Sequence, residues 1–158
     1  MRKYGNTLIT VLVALSSLCA AETMPTFQPK LQVGKELSVD KLREQNLNVV
    51  QKAVEGIGEH LPQKVDDYTK LIAVDSNGTT LIYTFEVLSG PQSDDTLKRQ
   101  GKGMAPRIQR GICLSSKRFL QADIDLRYRY ISSQSRQEIL RVDVDKYRCQ
   151  DIWNHPNR

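Results

Sequence analysis

The sequence predicts an α+β domain of about four antiparallel strands in two hairpins, with two helices packed on one face and one disulfide. Three observations carry this. Asn77-Gly78 lies between two β-rich runs in TKLIAVDSNGTTLIYTFEVL. Apolar residues recur at helical spacing from Leu42 to Ile57. A second pair of alternating runs, 124–131 and 138–144, lies near the end of the chain.

The chain opens differently. MRKYGNT carries Arg2, Lys3 and no acid, an uncharged run follows from Leu8 to Leu18, and small residues stand at Cys19 and Ala21. Residues 1–21 therefore read as a secretory signal peptide cleaved after Ala21. The apolar run falls short of the ~20 residues a bilayer span needs, which argues against an uncleaved anchor. Leu18 is large for the residue before a lipoprotein cysteine, and Arg2-Lys3 is not a twin arginine. The expectation is a periplasmic or secreted protein with no transmembrane segment after cleavage.

Cleavage removes two of the 23 Lys+Arg and none of the 18 Asp+Glu, so the net charge of +5 becomes milder. Of three cysteines, Cys113 and Cys149 remain. In an oxidising compartment they predict one disulfide. Two free thiols are the alternative, with no Cys-x-x-Cys to support a redox pair.

Residues 22–37 read as an extended leader punctuated by Pro25, Pro29 and Gly34. A single α+β domain is expected over 38–149, and a polar tail over 150–158. Ser38 to Glu59 reads as the first helix, with Ser38 as N-cap and Leu42, Val49, Val50, Ala53, Val54 and Ile57 on one face. In the first hairpin Leu81, Tyr83, Phe85 and Val87 share a face. A weaker helix follows from Ser93 to about Ile112. Asp94 and Asp95 favour its start, Leu97, Met104 and Ile108 share a face, and Gly101, Gly103 and Pro106 predict a break or an irregular start. SSKRFLQA adds a short helical turn.

The second hairpin contains DIDLRYRYI, where basic and aromatic residues interleave as in a nucleic-acid-binding strand. Alternation separates them: Leu126, Tyr128 and Tyr130 face one way, Asp125, Arg127 and Arg129 the other. A nucleic-acid platform needs aromatics and cations on the same side, so no nucleic-acid partner is expected. An even register with 138–144 would pair Arg127 with Asp143.

Chemistry is sparse. His60 and His155 have no partner at metal or catalytic spacing, and Ser38-x-x-Lys41 lacks the companion motifs of a penicillin-binding site. Lys102 between glycines lacks the Gly-Lys-Ser/Thr of a phosphate loop. The aspartate pairs 66/67, 123/125 and 143/145 show no calcium-loop spacing. No catalytic residue, metal or cofactor is expected. Between Thr96 and Ala122, however, stand seven basic residues and no acid: Lys98, Arg99, Lys102, Arg107, Arg110, Lys117 and Arg118. A field of one sign attracts acidic partners, so these are the candidate partner-binding residues, for a protein or an anionic envelope component. A merely solvated helix face is the plain alternative.

Residues 60–149 also resemble a recurring type of small exported bacterial protein. The likeness runs through HLPQKVDDYTKLIAVDSNGTTLIYTFEV, a cysteine after a basic helix, LRYRYI and a late cysteine. That type has no assigned activity, so the resemblance implies layout and export and transfers no catalytic residue. Together these readings point to a non-enzymatic binding or accessory protein, such as an inhibitor, an immunity protein or a secretion-apparatus component. The alternatives are a small envelope hydrolase and a binder of anionic lipid or polysaccharide.

Overall fold

The computed structural model of the protein describes residues 38–88 and 90–156. The signal peptide and leader expected over 1–37 lie outside the described residues. The elements run α1 (Val39–Gly58), β1 (Gln63–Lys64), β2 (Thr69–Asn77), β3 (Thr80–Val87), α2 (Asp94–Ser115), α3 (Lys117–Gln121), β4 (Asp125–Ser132), β5 (Glu138–Val144) and α4 (Lys146–Asn154). They form one five-stranded sheet in the order β1-β2-β3-β4-β5.

The α+β class and both hairpins stand, but the all-antiparallel, four-strand expectation is corrected. β3 and β4 pair in parallel, Leu81 beside Leu126 and Phe85 beside Tyr130. α2 carries the chain back along the sheet, so β4 sets out in the same direction as β3. β1, only two residues long, adds an edge strand against β2. Gly78 turns the first hairpin in the left-handed region, at φ +60°. The pair Asn77–Thr80 closes the turn, leaving Gly78 and Thr79 as its two-residue loop.

One face of the sheet carries the core. Leu71, Val74, Leu81, Phe85, Leu126, Val142 and Val144 are buried there under Val50 and Ala53 of α1 and Ile112 of α2. A bulge between Leu71 and Ala73 lets Leu71 and Val74, three residues apart, share this face. Tyr83, Phe85, Tyr128 and Tyr130 stack along the middle strands, with centroids 4.9 Å apart for Tyr83–Tyr128 and for Phe85–Tyr130. The tyrosines of the interleaved strand thus belong to the core.

Several local expectations change. Ser38 precedes α1, but its side chain makes no capping hydrogen bond. Asn46 sits buried on the apolar face of α1, where its amide donates to the Ala122 carbonyl at 2.5 Å. α2 starts on a Ser93 cap, accepting from Thr96 N, and runs unbroken through Pro106. Pro106 is exposed, so water can satisfy the carbonyl that its missing N–H leaves free. Gly101 is a point of close approach: a Cβ there would lie 3.3 Å from Leu140 Cβ.

The expected tail begins instead inside a helix. Asp145 caps α4 by accepting from Arg148 N at 2.9 Å. Cys149, beyond the expected strand 138–144, lies in this helix and is bonded to Cys113 of α2. Trp153 packs against the core and donates its indole N–H to the Cys113 carbonyl at 2.7 Å.

Candidate partner-binding surfaces

The outer face of the sheet carries the charges of the central strands. Arg127 stands opposite Asp143, as the alternation predicts, and Nε donates to its carboxylate at 2.5 Å. Arg129 stands opposite Arg141, a like-charge pair that alone would repel. Glu138 resolves it, accepting from Arg129 Nε at 2.9 Å on one oxygen and from Arg141 Nε at 2.9 Å on the other. Burial opposes its ionisation, but hydrogen bonds and charge from Arg141 and Arg129 outweigh burial and hold the carboxyl below its ordinary value. Arg136 pairs with Glu86. The face is charged, and each of these four arginines meets a carboxylate.

At the lower end of this face Asp125, Asp143 and Asp145 line a small polar cleft with Thr80 and Arg127. Asp143 is taken by Arg127 and Asp145 by the α4 cap and Arg148, while nearby Asp123 is held by Lys146 at 2.5 Å. Of these four aspartates, Asp125 is the one that forms no ion pair among the described residues. Its carboxyl is raised by burial and by the negative charges of Asp145 and Asp123. One unpaired carboxyl is not the acid and base that hydrolysis requires. His60 and His155 lie against the carbonyls of Gly56 and Asp151 at helix ends. Among the described residues no group of three or more His, Cys, Asp or Glu is arranged to hold a metal ion.

The seven predicted basic residues occupy the other side of the molecule. Lys98, Arg99, Lys102, Arg107 and Arg110 project from α2; Lys117 and Arg118 stand on α3. They spread over the outward half of α2 at ~100° per residue and do not converge on a pocket. Arg99 donates to Thr96 Oγ1 at 3.2 Å, Arg110 to the Pro156 carbonyl, and the Lys117 ammonium lies 5.4 Å from the Trp153 ring centroid. Among the described residues none of the seven forms an ion pair.

Between these surfaces lies a groove that the sequence reading missed. Leu97, Gln100, Gly101, Met104 and Ile108 of α2 form one wall; Val87, Tyr130, Ile139 and Leu140 of the sheet form the floor. Leu97, Met104 and Ile108 read as a core face, yet Met104 is 55% exposed. Tyr68 and Leu88, also exposed, adjoin the lining residues Thr69 and Val87 in sequence, and Leu88 N donates to the Tyr68 carbonyl at 2.8 Å. The Tyr130 hydroxyl is pushed up to about 12 by burial, by the neighbouring Tyr128 hydroxyl and by the Asp66 carboxylate. It stays neutral and able to donate a hydrogen bond at any physiological pH. The lining residues from Leu97 to Ile108 span about 16 Å of α2, with Gly101 closely approaching Leu140 midway.

No family model matches the chain, and no curated protein matches it. Solved structures do. The fold is similar to that of a Pseudomonas aeruginosa protein described as secreted, with TM-score 0.60 and 13% identity, covering 74% of this chain and all of that one. It is similar to EpsS, the pilotin of the Vibrio vulnificus type 2 secretion system, with TM-score 0.59 and 14% identity over 70% of this chain and 97% of that one. The type II secretion pilotin AspS of Vibrio cholerae matches at TM-score 0.50 and 11% identity, over the same shares of the two chains. At these identities the likeness is one of fold.

Proposed function

We propose that the protein is an exported, non-enzymatic accessory of a secretion apparatus that holds an apolar segment of a partner protein in the α2–sheet groove. The observation that carries this is the groove, an open, mostly apolar hollow with exposed Met104 on its wall. A soluble domain that leaves such a patch uncovered commonly uses it for contact. The secretion pilotins of the same fold support the choice of partner class. The envelope hydrolase is disfavoured, because Asp143 and Asp145 of the polar cleft are committed to arginine partners and a helix cap, leaving Asp125 as its one unpaired carboxylate.

The test begins with capture from envelope extract, followed by titration of the purified captured protein against wild type, Met104→Glu and Arg127→Gln. A charge in the groove is expected to weaken binding by about 10- to 100-fold, the loss of one or two buried contacts. Arg127→Gln, on the opposite face, is expected to bind like wild type. Equal affinity of Met104→Glu and wild type would remove the groove from the proposal.

A further inference from the structure

We infer that the outward face of α2 is a contact surface for an anionic lipid bilayer, formed by Arg99, Arg107, Arg110 and Leu114 with Lys102 beside them. Positions 99, 107, 110 and 114 fall within about a quarter of the helix circumference at ~100° per residue. They extend along about 22 Å of the axis at ~1.5 Å per residue, long enough to lie along a surface rather than to grip a single anion. The centre of this stripe lies roughly 115° around α2 from the centre of the groove wall, with Arg107 nearest to it, so the inference uses other residues than the groove and either can fail alone.

Three observations favour it. The first is charge balance. Arg127, Arg129, Arg136, Arg141, Lys146 and Arg148 all meet carboxylates, whereas the α2 cations meet none among the described residues. The second is Leu114, 48% exposed in line with the arginines. A bilayer interface accepts an apolar side chain among cations; a hydrated polysaccharide offers it nothing. The third is that α2 is held in the fold, with Leu97 and Ile112 buried on its apolar side and Cys113 tied to α4 beside Arg110. The helix therefore cannot insert, and attachment must be peripheral and salt-sensitive. A protein held this way keeps its groove beside the membrane.

The test is cosedimentation of residues 22–158, which hold every described element, with vesicles of phosphatidylcholine or of phosphatidylcholine with about 30 mol % phosphatidylglycerol. Wild type is expected to bind the anionic vesicles at least about tenfold more tightly, and to be released at about 0.5 M salt. Arg99→Gln with Arg107→Gln and Arg110→Gln should lose that preference. The corresponding Lys variants, which keep charge, should retain it, separating charge from folding. Leu114→Ser should weaken vesicle binding severalfold and leave binding to soluble dextran sulfate unchanged. Equal binding of wild type and the Gln variant would overturn the inference. So would tight capture by dextran sulfate with indifference to vesicles, the signature of a polysaccharide surface.

Discussion

The two sides of this molecule hold similar numbers of arginines and use them differently. On the outer sheet face each arginine has a carboxylate across the strand or at the hairpin end, and Glu138 stands between two that would otherwise repel. On α2 the acids Asp94 and Asp95 stand in the first turn and the cations form no ion pair among the described residues, while the helix is fastened by other means: a disulfide to α4, an indole hydrogen bond and apolar packing. Where charge is paired it holds structure together. On α2, where structure is held covalently and by packing, the cations form no ion pair among the described residues. Removing each kind of fastening in turn tests that division.

The largest effect should come from the covalent tie. Replacing Cys113 and Cys149 by Ser releases a separation of 36 residues, worth about 4 kcal/mol in the chain-entropy model. Denaturant unfolding of the oxidised wild type against the double variant measures it. A loss below about 1 kcal/mol would mean that packing of Trp153 and Ile152 already fixes α4, and the contrast between the two sides would weaken.

Next comes Glu138. Glu138→Ala leaves Arg129 and Arg141 directly opposite each other and is expected to cost about 1 kcal/mol, less in high salt. The sign with pH follows from its lowered carboxyl. Glu138 contributes stability above its unfolded value near 4.5, and the contribution is lost as pH falls through the lower folded value. Glu138→Gln should flatten the acid limb of the stability curve, and an unchanged limb would show that the pair is only decorative.

The same contrast explains what was legible in the sequence. Alternation over 124–131 separated the tyrosines from the arginines and paired Arg127 with Asp143, because a strand has a period of two and half of it must be buried. That is local information. The parallel joining of the hairpins is not local: each hairpin pairs internally whichever way α2 returns the chain. β1 is too short for any period. α4 was signalled weakly, by Asp145 as a cap and by the spacing of Cys149, Ile152 and Trp153, but polar residues between them hid it. The basic run was plain in the sequence. The groove was not, because Met104 carries the same apolar signal whether it is covered or exposed.

The α2 cations supply the third prediction. Arg99→Gln, Lys102→Gln and Arg107→Gln are each expected to change stability by less than about 0.5 kcal/mol, since none meets an acid. Arg127→Gln, which orphans Asp143, should cost about 0.5–1 kcal/mol. Thermal unfolding of the four variants side by side reads the difference directly. A large loss from an α2 variant would mean that its charge is structural after all.

The smallest effect is expected at the one carboxylate of the outer face's polar cleft that breaks the pairing rule. Asp125 gains no cation of its own, and burial, Asp145 and Asp123 all push its carboxyl upward, with Lys146 opposing. A raised acid in the folded state binds its proton more tightly than the unfolded chain does. Its favourable contribution is therefore complete below the unfolded value near 3.8 and is lost as pH rises through the folded one. At neutral pH the ionised Asp125 is a mild liability, so Asp125→Asn should stabilise by about 0.3 kcal/mol after solvent screening, with the gain vanishing in acid. If the substitution destabilises at neutral pH instead, Asp125 has a favourable partner that the paired face conceals, and the exception joins the rule.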